Sequence, residues 1–464
     1  MGFLFTLLYI ALSLLSPKDT MPYLAEFRVE LFIVFVAVIF STPGLLRRNF
    51  FRVPQNYLLL GLFVVIFVST AIADHWLGGG FLALQRFLPS AVVFYLIFMN
   101  CQDLRRLRIL VVMLAAISCF FVVEGATAYY TSSTARMCRD GRVPKAKLTE
   151  SQLGLPVCNP FIEVIPVSDG SVTFRMQGLG FLRDPNELAQ LLVTILPFLW
   201  IAWKRGNSLN NTLFVALPSA LLIWGIYLTH SRGAMLALVV ILVLTLKDRV
   251  SWLATAAGGV MFFGLMLALN FSGGREISVE AGSDRLEMWS NGLELFRQSP
   301  LFGVGFQRFM AENSGRAAHN SFVVCLAELG ILGYGFWIAM LAFTLAGLNS
   351  LIKSLSTARS EAESGARQVS EEQEEESAEI DKWARALRTS LAGFLAASFF
   401  LSRAYSLTLY LIVGMSVALL CLVEEEDEPM EQPSLGWQLS LSTALGAAAV
   451  VLVYVAVRLR SFAS

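Results

Sequence analysis

Thirteen apolar runs divide this chain, more than the core of one soluble domain can absorb. They fall at 2–16, 27–46, 57–73, 84–100, 109–129, 186–203, 212–229, 234–247, 251–270, 320–348, 387–402, 405–423 and 436–457. Most approach the ~20 residues that carry a helix across a ~30 Å hydrocarbon layer. The 464 residues are 56% hydrophobic and 15% charged, against about 25% charged in soluble domains. With a mean hydropathy of +0.64, the pattern predicts an all-α polytopic membrane protein and excludes a soluble one. The run "GFLFTLLYIALSLL" lacks a basic n-region and a small-residue cleavage site, and reads as the first span rather than a cleaved signal. The formal net charge of zero says nothing about nucleic acid, and no nucleic-acid partner is expected.

Sidedness comes from the short basic connections. "RRNFFR" (47–52), "DLRRLR" (103–108), "KR" (204–205) and "KDR" (247–249) alternate with connections poor in Lys and Arg. The positive-inside rule places them in the cytoplasm, with the amino terminus. Thirteen spans would leave Arg458 and Arg460 outside, against that rule, so twelve spans and one surface or re-entrant segment is the alternative.

The expected organisation is an amino-terminal transmembrane bundle (1–129), a first outer loop (130–184) and central spans (185–270). A second outer segment with an amphipathic helix (271–318) and a span headed by His319 and Asn320 (319–348) follow. An acidic cytoplasmic loop (349–385) and the carboxy-terminal spans (386–464) complete it. The acidic runs "EEQEEESAEID" and "EEEDE" suit solvated, disordered connections. Of six cysteines, Cys101, Cys119, Cys325 and Cys421 lie in or beside spans and read as small apolar residues. Cys138 and Cys158 share the first outer loop and are expected to pair there. No Cys/His spacing resembles a metal site, and no cofactor is expected.

The polar residues that interrupt this background lie on the outer face. "YLTHSRGAMLALVVILVL" (227–244) sits inside an almost unbroken apolar stretch, 211–246. One helix of that length would far exceed the bilayer core, so two spans and a tight turn are expected. Gly233 would relax the turn, and His230, Ser231 and Arg232 would lie at the membrane surface. His319 opens the run "HNSFVVCLAELGILGYGFW", where a helix N-terminus favours the neutral imidazole a base needs. Taken alone, it reads first as an interfacial histidine capping a span. Glu328 in the same run is costly unless paired or facing a cavity, and Gly330, Gly333 and Gly335 suit close helix packing.

Upstream, "GSDRLEMWSNGLELFRQSPLFGVGFQRF" gives a helix capped by Ser283 or Asp284, with Leu286, Trp289, Leu293 and Phe296 on one stripe. It is expected on the membrane surface, with Arg285 in its first turn, an end that disfavours a cation and leaves two readings, a specific anionic partner or a solvated arginine. In "RMQGLGFLRDPNELAQLL" (175–192), Asp184 as N-cap, Pro185 at N1 and Glu187 at N3 start a span. That leaves Arg175 and an outward Asn186 unexplained, and Arg403 lies in the outer turn "SRAYS". Several arginines and one histidine on one face fit a membrane-surface anion, because Arg forks bind phosphate oxygens bidentately.

These motifs resemble the O-antigen ligase and polysaccharide polymerase superfamily of bacterial envelope glycosyltransferases. The resemblance rests on "SRGAMLAL" (231–238), on His319-Asn320 followed by nine residues and Gly330-x-x-Gly333, on "DPNELA" (184–189), and on Arg285-x-x-x-Trp289 leading to "SPLFGVGF". It covers 175–335. It implies a helical fold of the GT-C kind, which suits the twelve to thirteen transmembrane helices and two larger periplasmic loops read from hydropathy and charge. It also implies metal-independent, inverting transfer of an undecaprenyl-diphosphate-linked glycan on the periplasmic face of the inner membrane. The acceptor is then a glycan, lipid A core or protein. Arg232, Arg285 and His319 are the implied catalytic residues: the arginines grip the diphosphate, and His319 orients or deprotonates the acceptor hydroxyl. Arg175, Asn186, His230, Asn320 and Arg403 are the expected substrate-binding residues. A ligase is the leading reading and a polymerase the alternative. A transporter or flippase of an anionic lipid is a reading from another class, and predicts inverted repeats with discontinuous helices at the midplane.

Overall fold

A computed structural model describes residues 1–19, 29–47, 53–132, 159–166, 172–247, 250–269, 271, 279–364, 370–426 and 434–463. Each of the thirteen apolar runs lies in or overlaps a helix. The helices are α1 (Gly2–Leu15), α2 (Val29–Arg47), α3 (Pro54–Asp74), α4 (Leu77–Asn100), α5 (Leu104–Ser132), α6 (Pro185–Leu199), α7 (Ser208–Thr229), α8 (Arg232–Leu246) and α9 (Trp252–Ala268). They continue with α10 (Val279–Gln298), α11 (Ser321–Glu363), α12 (Glu371–Ser398), α13 (Leu407–Glu426) and α14 (Leu435–Ala463). Among the described residues eight helices are long and apolar enough to cross a membrane, and α1, α2, α8 and α9 are shorter apolar helices. The protein is an all-α polytopic membrane protein. Large apolar side chains left exposed, such as Phe32 and Phe35 on α2, Val260 and Met261 on α9 and Val451 and Leu452 on α14, form the surface a lipid tail accepts.

The chain divides into two compact units: Met1–Thr6, Ala37–Leu107 and Arg275–Ser464 in the first, Leu7–Val36 and Arg108–Gly274 in the second. In the first unit α11 is the hub and packs on α3, α10, α12, α13 and α14, while α4 packs on α3 and α13. Asn100 ties this unit together near the amino terminus, its amide donating to Thr6 Oγ1, Ser41 Oγ and the Leu96 carbonyl.

At Gly330 the long helix α11 breaks, with φ 62° and ψ −167°. The break frees backbone groups, and the segment after α10 takes them up. Val304 N–H donates to the Ala327 carbonyl and Gly305 N–H to that of Glu328, both at 3.0 Å. In return Ile331 N–H reaches the Pro300 carbonyl at 2.8 Å and Leu332 N–H that of Leu301 at 3.3 Å. Residues 300–305 therefore form a strap lying in the break. Close approach needs glycine on both sides, since a Cβ at Gly330 would collide with the Leu301 backbone and one at Gly303 with that of Glu328. The glycines thus do more than let helices approach: they let a helix open and receive a second backbone. Ser69 Oγ on α3 donates to the Glu328 carbonyl, and Thr70 Oγ1 accepts from Phe306 N–H, which pins the strap from its other side.

In the second unit α6 is the centre and packs on α7 and α8, with α9 against α8. Nearly all of α6 is buried, from Leu188 to Phe198. Asp184 caps it, accepting from Asn186 N–H at 2.7 Å, with Pro185 in the first turn. Segment 130–184 holds structure the helical reading did not anticipate: an antiparallel hairpin of β1 (Ile162–Pro166) and β2 (Val172–Met176). Asp19 accepts from Gly180 N–H and pairs with Arg183, tying the residues after α1 to the approach to α6. Cys138 and Cys158, with their expected pairing, lie outside the described residues.

Three local expectations are corrected. The acidic segment expected as a disordered loop is helical where described, since α11 runs to Glu363 and α12 starts at Glu371. A Ser370/Gln373 capping box, carboxylates in the first turn of α12 and i,i+4 pairs (Arg359–Glu363, Asp381–Arg385) supply the local support. Helix α10 begins at Val279, not at Ser283 or Asp284, so Arg285 sits in its second turn. Its stripe packs inside the protein: Trp289 is buried with Val323, Val324 and Ala327 of α11 and Val453 of α14, and Leu286 and Leu293 pack against the same cluster.

Candidate functional site

The sequence-predicted residues fall into two groups, one in each unit. In the second unit, α7 and α8 meet at a two-residue turn, as the length of the 211–246 stretch required. The residue that makes the turn is His230, not Gly233. His230 adopts the left-handed conformation (φ 50°, ψ 38°) and ends α7, Ser231 is the N-cap of α8, and Gly233 is already helical. Ser231 Oγ accepts from Ala234 N–H at 3.4 Å, so Arg232 occupies the first turn of α8, half-buried.

His230 is 5% exposed and packed edge-on against Tyr129 and Tyr227. Its Nε2 lies 3.3 Å from Tyr129 Oη and its Nδ1 3.4 Å from the Phe271 carbonyl. All three histidines of the chain share this backbone role: His75, His230 and His319 each adopt a left-handed φ immediately before the N-cap of a helix. Histidine is among the side chains that tolerate that conformation. The shared role explains why a histidine stands at each of these helix starts, without assigning it chemistry.

Arg175 lies nearby, on β2. It is 4% exposed and directly opposite Glu163 in the hairpin register. Its guanidinium donates to the Thr229 carbonyl (2.9 Å), Glu163 Oε2 (2.9 Å) and Asn186 Oδ1 (3.0 Å). Burial lowers its pKa, opposed by the charges of Glu163 and Asp184 and reinforced by that of Arg232. Arg175, Asn186 and Arg232 are therefore one electrostatic neighbourhood. Glu163 belongs to it too, and was missed because its only signal is a cross-strand position in a hairpin that helical patterning hides.

In the first unit, α10 carries Arg285 and α11 is headed by His319. Two features fix the approach to α11. Trp289, four residues beyond Arg285 on the same helix, donates its indole N–H to the Ala318 carbonyl at 3.0 Å, directly before His319. Asn291 donates to Asn313, whose amide donates to the Arg316 carbonyl, and Arg316 pairs with Glu287 at 2.8 Å. His319 is exposed with φ 50°, and Asn320 behind it is fully buried. Asn320 Oδ1 accepts from the N–H groups of Phe322 (2.9 Å) and Val323 (3.1 Å), which makes it the N-cap of α11. Its Nδ2 has no hydrogen-bond partner among the described residues. Ser321 Oγ donates to the Leu401 carbonyl and accepts from Arg403 N–H, so the turn bearing Arg403 is held at the head of α11.

Glu328 sits at the break of α11, 3% exposed. Its Oε1 accepts from Phe309 N–H at 3.0 Å, satisfying the first amide of the one-turn helix Phe309–Glu312. One oxygen of this carboxylate is thus held by a backbone amide inside the protein, while Oε2 is buried without a hydrogen-bond partner among the described residues. The discontinuous helix at Gly330 is a feature the transporter reading also expects, but the strap satisfies the backbone groups it frees. No group of three or more His, Cys, Asp or Glu that could hold a metal occurs among the described residues.

Residues 217–338 match the O-antigen ligase family model. The O-antigen ligase match covers about a quarter of the chain, from α7 to the first half of α11. It includes the turn with Arg232, α10 with Arg285, the strap and the His319–Asn320 head, and leaves out the hairpin, Asn186 and Arg403. No curated protein matches the chain. This family match supports an envelope glycan enzyme of the ligase or polymerase type, with a lipid-linked glycan as donor and a glycan acceptor in general terms.

Proposed function

We propose that this protein transfers an undecaprenyl-diphosphate-linked oligo- or polysaccharide to an acceptor hydroxyl at the periplasmic face of the bacterial inner membrane, as an O-antigen ligase does. The observation that carries this reading is that the O-antigen ligase match spans Arg232, Arg285 and His319 in one continuous segment. The acceptor oxygen attacks the anomeric carbon from the face opposite the diphosphate, with inversion. The C–O bond to the diphosphate breaks, its electron pair leaves with the diphosphate, and the hydroxyl proton passes to His319. Arg232 and Arg285 offset the negative charge the leaving group gains, the task a metal ion performs in other transferases. His319 is exposed beside the amino-terminal end of α11, and a neutral imidazole can accept the hydroxyl proton.

Asn320 and Arg403, at the head of α11, are proposed to contact the acceptor, and Asn186 and His230 the donor, while Arg175 is held by its three bonds within the fold. The donor is a lipid diphosphate, the acceptor a lipid A core, a protein or another glycan, and no cofactor is required. The polymerase alternative differs only in the acceptor, which is then a second lipid-linked repeat. Product analysis after reconstitution with a lipid-diphosphate glycan separates the two. A single capped acceptor supports ligation, a ladder of lengths supports polymerisation, and absence of glycan transfer with either acceptor refutes both.

A further inference from the structure

Arg175 is nine-tenths buried or more, and three hydrogen bonds from its guanidinium reach three separate segments of the second unit. Nε holds the Thr229 carbonyl at the end of α7, one of the last helix carbonyls that have no partner within their own helix. Nη1 holds Glu163 across the hairpin. Nη2 holds Oδ1 of Asn186 in the first turn of α6, and the orientation of that amide is set from its other end, because Asn186 Nδ2 donates to Asp184 Oδ1 at 2.9 Å. Three of the five guanidinium N–H donors are thus engaged within the fold. Thr229 lies three residues before Arg232, separated from it only by the left-handed His230 and the N-cap Ser231. Whatever holds Thr229 sets the direction in which α8 starts. A lysine could not replace this arrangement, because a compact ammonium lacks the planar fork that addresses three acceptors at once.

We propose that Arg175, with Glu163 as its counter-ion, is a positioning residue that clamps the end of α7 to the hairpin and to the start of α6 and so sets where Arg232 is presented. This rests on the proposed role of Arg232 at the donor diphosphate. Glu163 belongs to the machinery without touching substrate, and the hairpin becomes a functional brace rather than a loop ornament. The burial of a second cation beside Arg232 is explained by the same arrangement, since Glu163 and Asp184 offset it.

The test uses the full chain in lipid nanodiscs, with undecaprenyl diphosphate as the binding probe. Arg175→Ala and Arg175→Lys are expected to weaken binding about tenfold when Arg232 is present and to change nothing in an Arg232→Ala background, since a residue acting through Arg232 has nothing left to act on. Equal losses in both backgrounds, or wild-type binding by Arg175→Ala, overturn the proposal. A second readout is independent of ligand. Amide exchange over residues 226–235 is expected to quicken in Arg175→Ala and in Glu163→Ala, and to return towards wild type in Glu163→Gln, which keeps an acceptor for Nη1. Unchanged exchange overturns the proposal whatever Arg232 does. Wild-type binding by Arg232→Ala together with quickened exchange instead refutes the donor-site reading and leaves the clamp standing. Glu163→Ala, which removes one bond of three, serves if Arg175→Ala fails to fold.

Discussion

Replacing Gly330 with alanine should damage this protein more than any other small change within α11. Two costs add. The backbone at φ 62°, ψ −167° lies in a region essentially reserved for glycine, where another residue is strained by about 1–3 kcal/mol. The new Cβ also collides with the backbone of Leu301, which cannot swing aside as a side-chain tip would, and overpacking of this kind costs about 1–3 kcal/mol. The sum, about 2–6 kcal/mol, is a large share of the 5–15 kcal/mol that typically holds a fold. Gly335, one turn on, is the control: it is exposed, and a Cβ there meets nothing within 4 Å. Gly335→Ala should leave stability unchanged or raise it by up to ~1 kcal/mol.

Equilibrium unfolding in mixed micelles, followed by tryptophan fluorescence, measures both variants. Amide exchange supplies the local readout, because the N–H groups of Val304, Gly305, Ile331 and Leu332 are held by strap bonds. In Gly330→Ala these four should exchange faster than amides elsewhere in α11. Equal stability of the two variants, with the four amides still protected, would refute the reading of Gly330 as the seat of the strap.

Two further changes probe the head of α11. Trp289→Phe keeps the ring that meets Phe399 edge-on at 5.5 Å but loses the bond to the Ala318 carbonyl. A stability loss of about 1 kcal/mol and slower glycan transfer are expected, and transfer at the wild-type rate would show that this bond does not position His319. Asn320→Ala removes the N-cap of α11 and should cost about 0.5–2 kcal/mol. Asn320→Asp, which keeps the accepting oxygen, should recover most of that loss in the same unfolding measurement.

Much of this architecture can be read along the chain, because lipid imposes a length and a hydropathy on every span. The thirteen apolar runs map to helices, and the Asp184 cap and the turn between α7 and α8 stand where spacing and capping chemistry put them. Non-local backbone pairing escaped that reading. The strap at 300–305 bonds to Ala327, Glu328, Ile331 and Leu332 through peptide groups, which leave no periodic side-chain signature beyond a surplus of glycine. The hairpin is hidden in the same way, so Arg175 stood out as an unexplained cation while its partners, a cross-strand Glu163 and the Thr229 carbonyl, did not. The start of α10 was misplaced because Ser283 and Asp284 look like caps, although the helix begins a turn earlier. At the head of α11 the His319–Asn320 pair was visible, but Trp289 read only as part of an apolar stripe, and its indole bond to Ala318 needed three dimensions.

The most direct test of the proposed site is glycan transfer in proteoliposomes from a lipid-diphosphate donor, comparing wild type with Arg232→Ala and His319→Ala at matched reconstitution. Loss of transfer by a hundredfold or more in each variant, with folding intact by size exclusion and thermal unfolding, is the expected result, since removing one group that stabilises developing charge or moves the proton costs about 10²–10⁴ in rate. Transfer at the wild-type rate by both variants would contradict it.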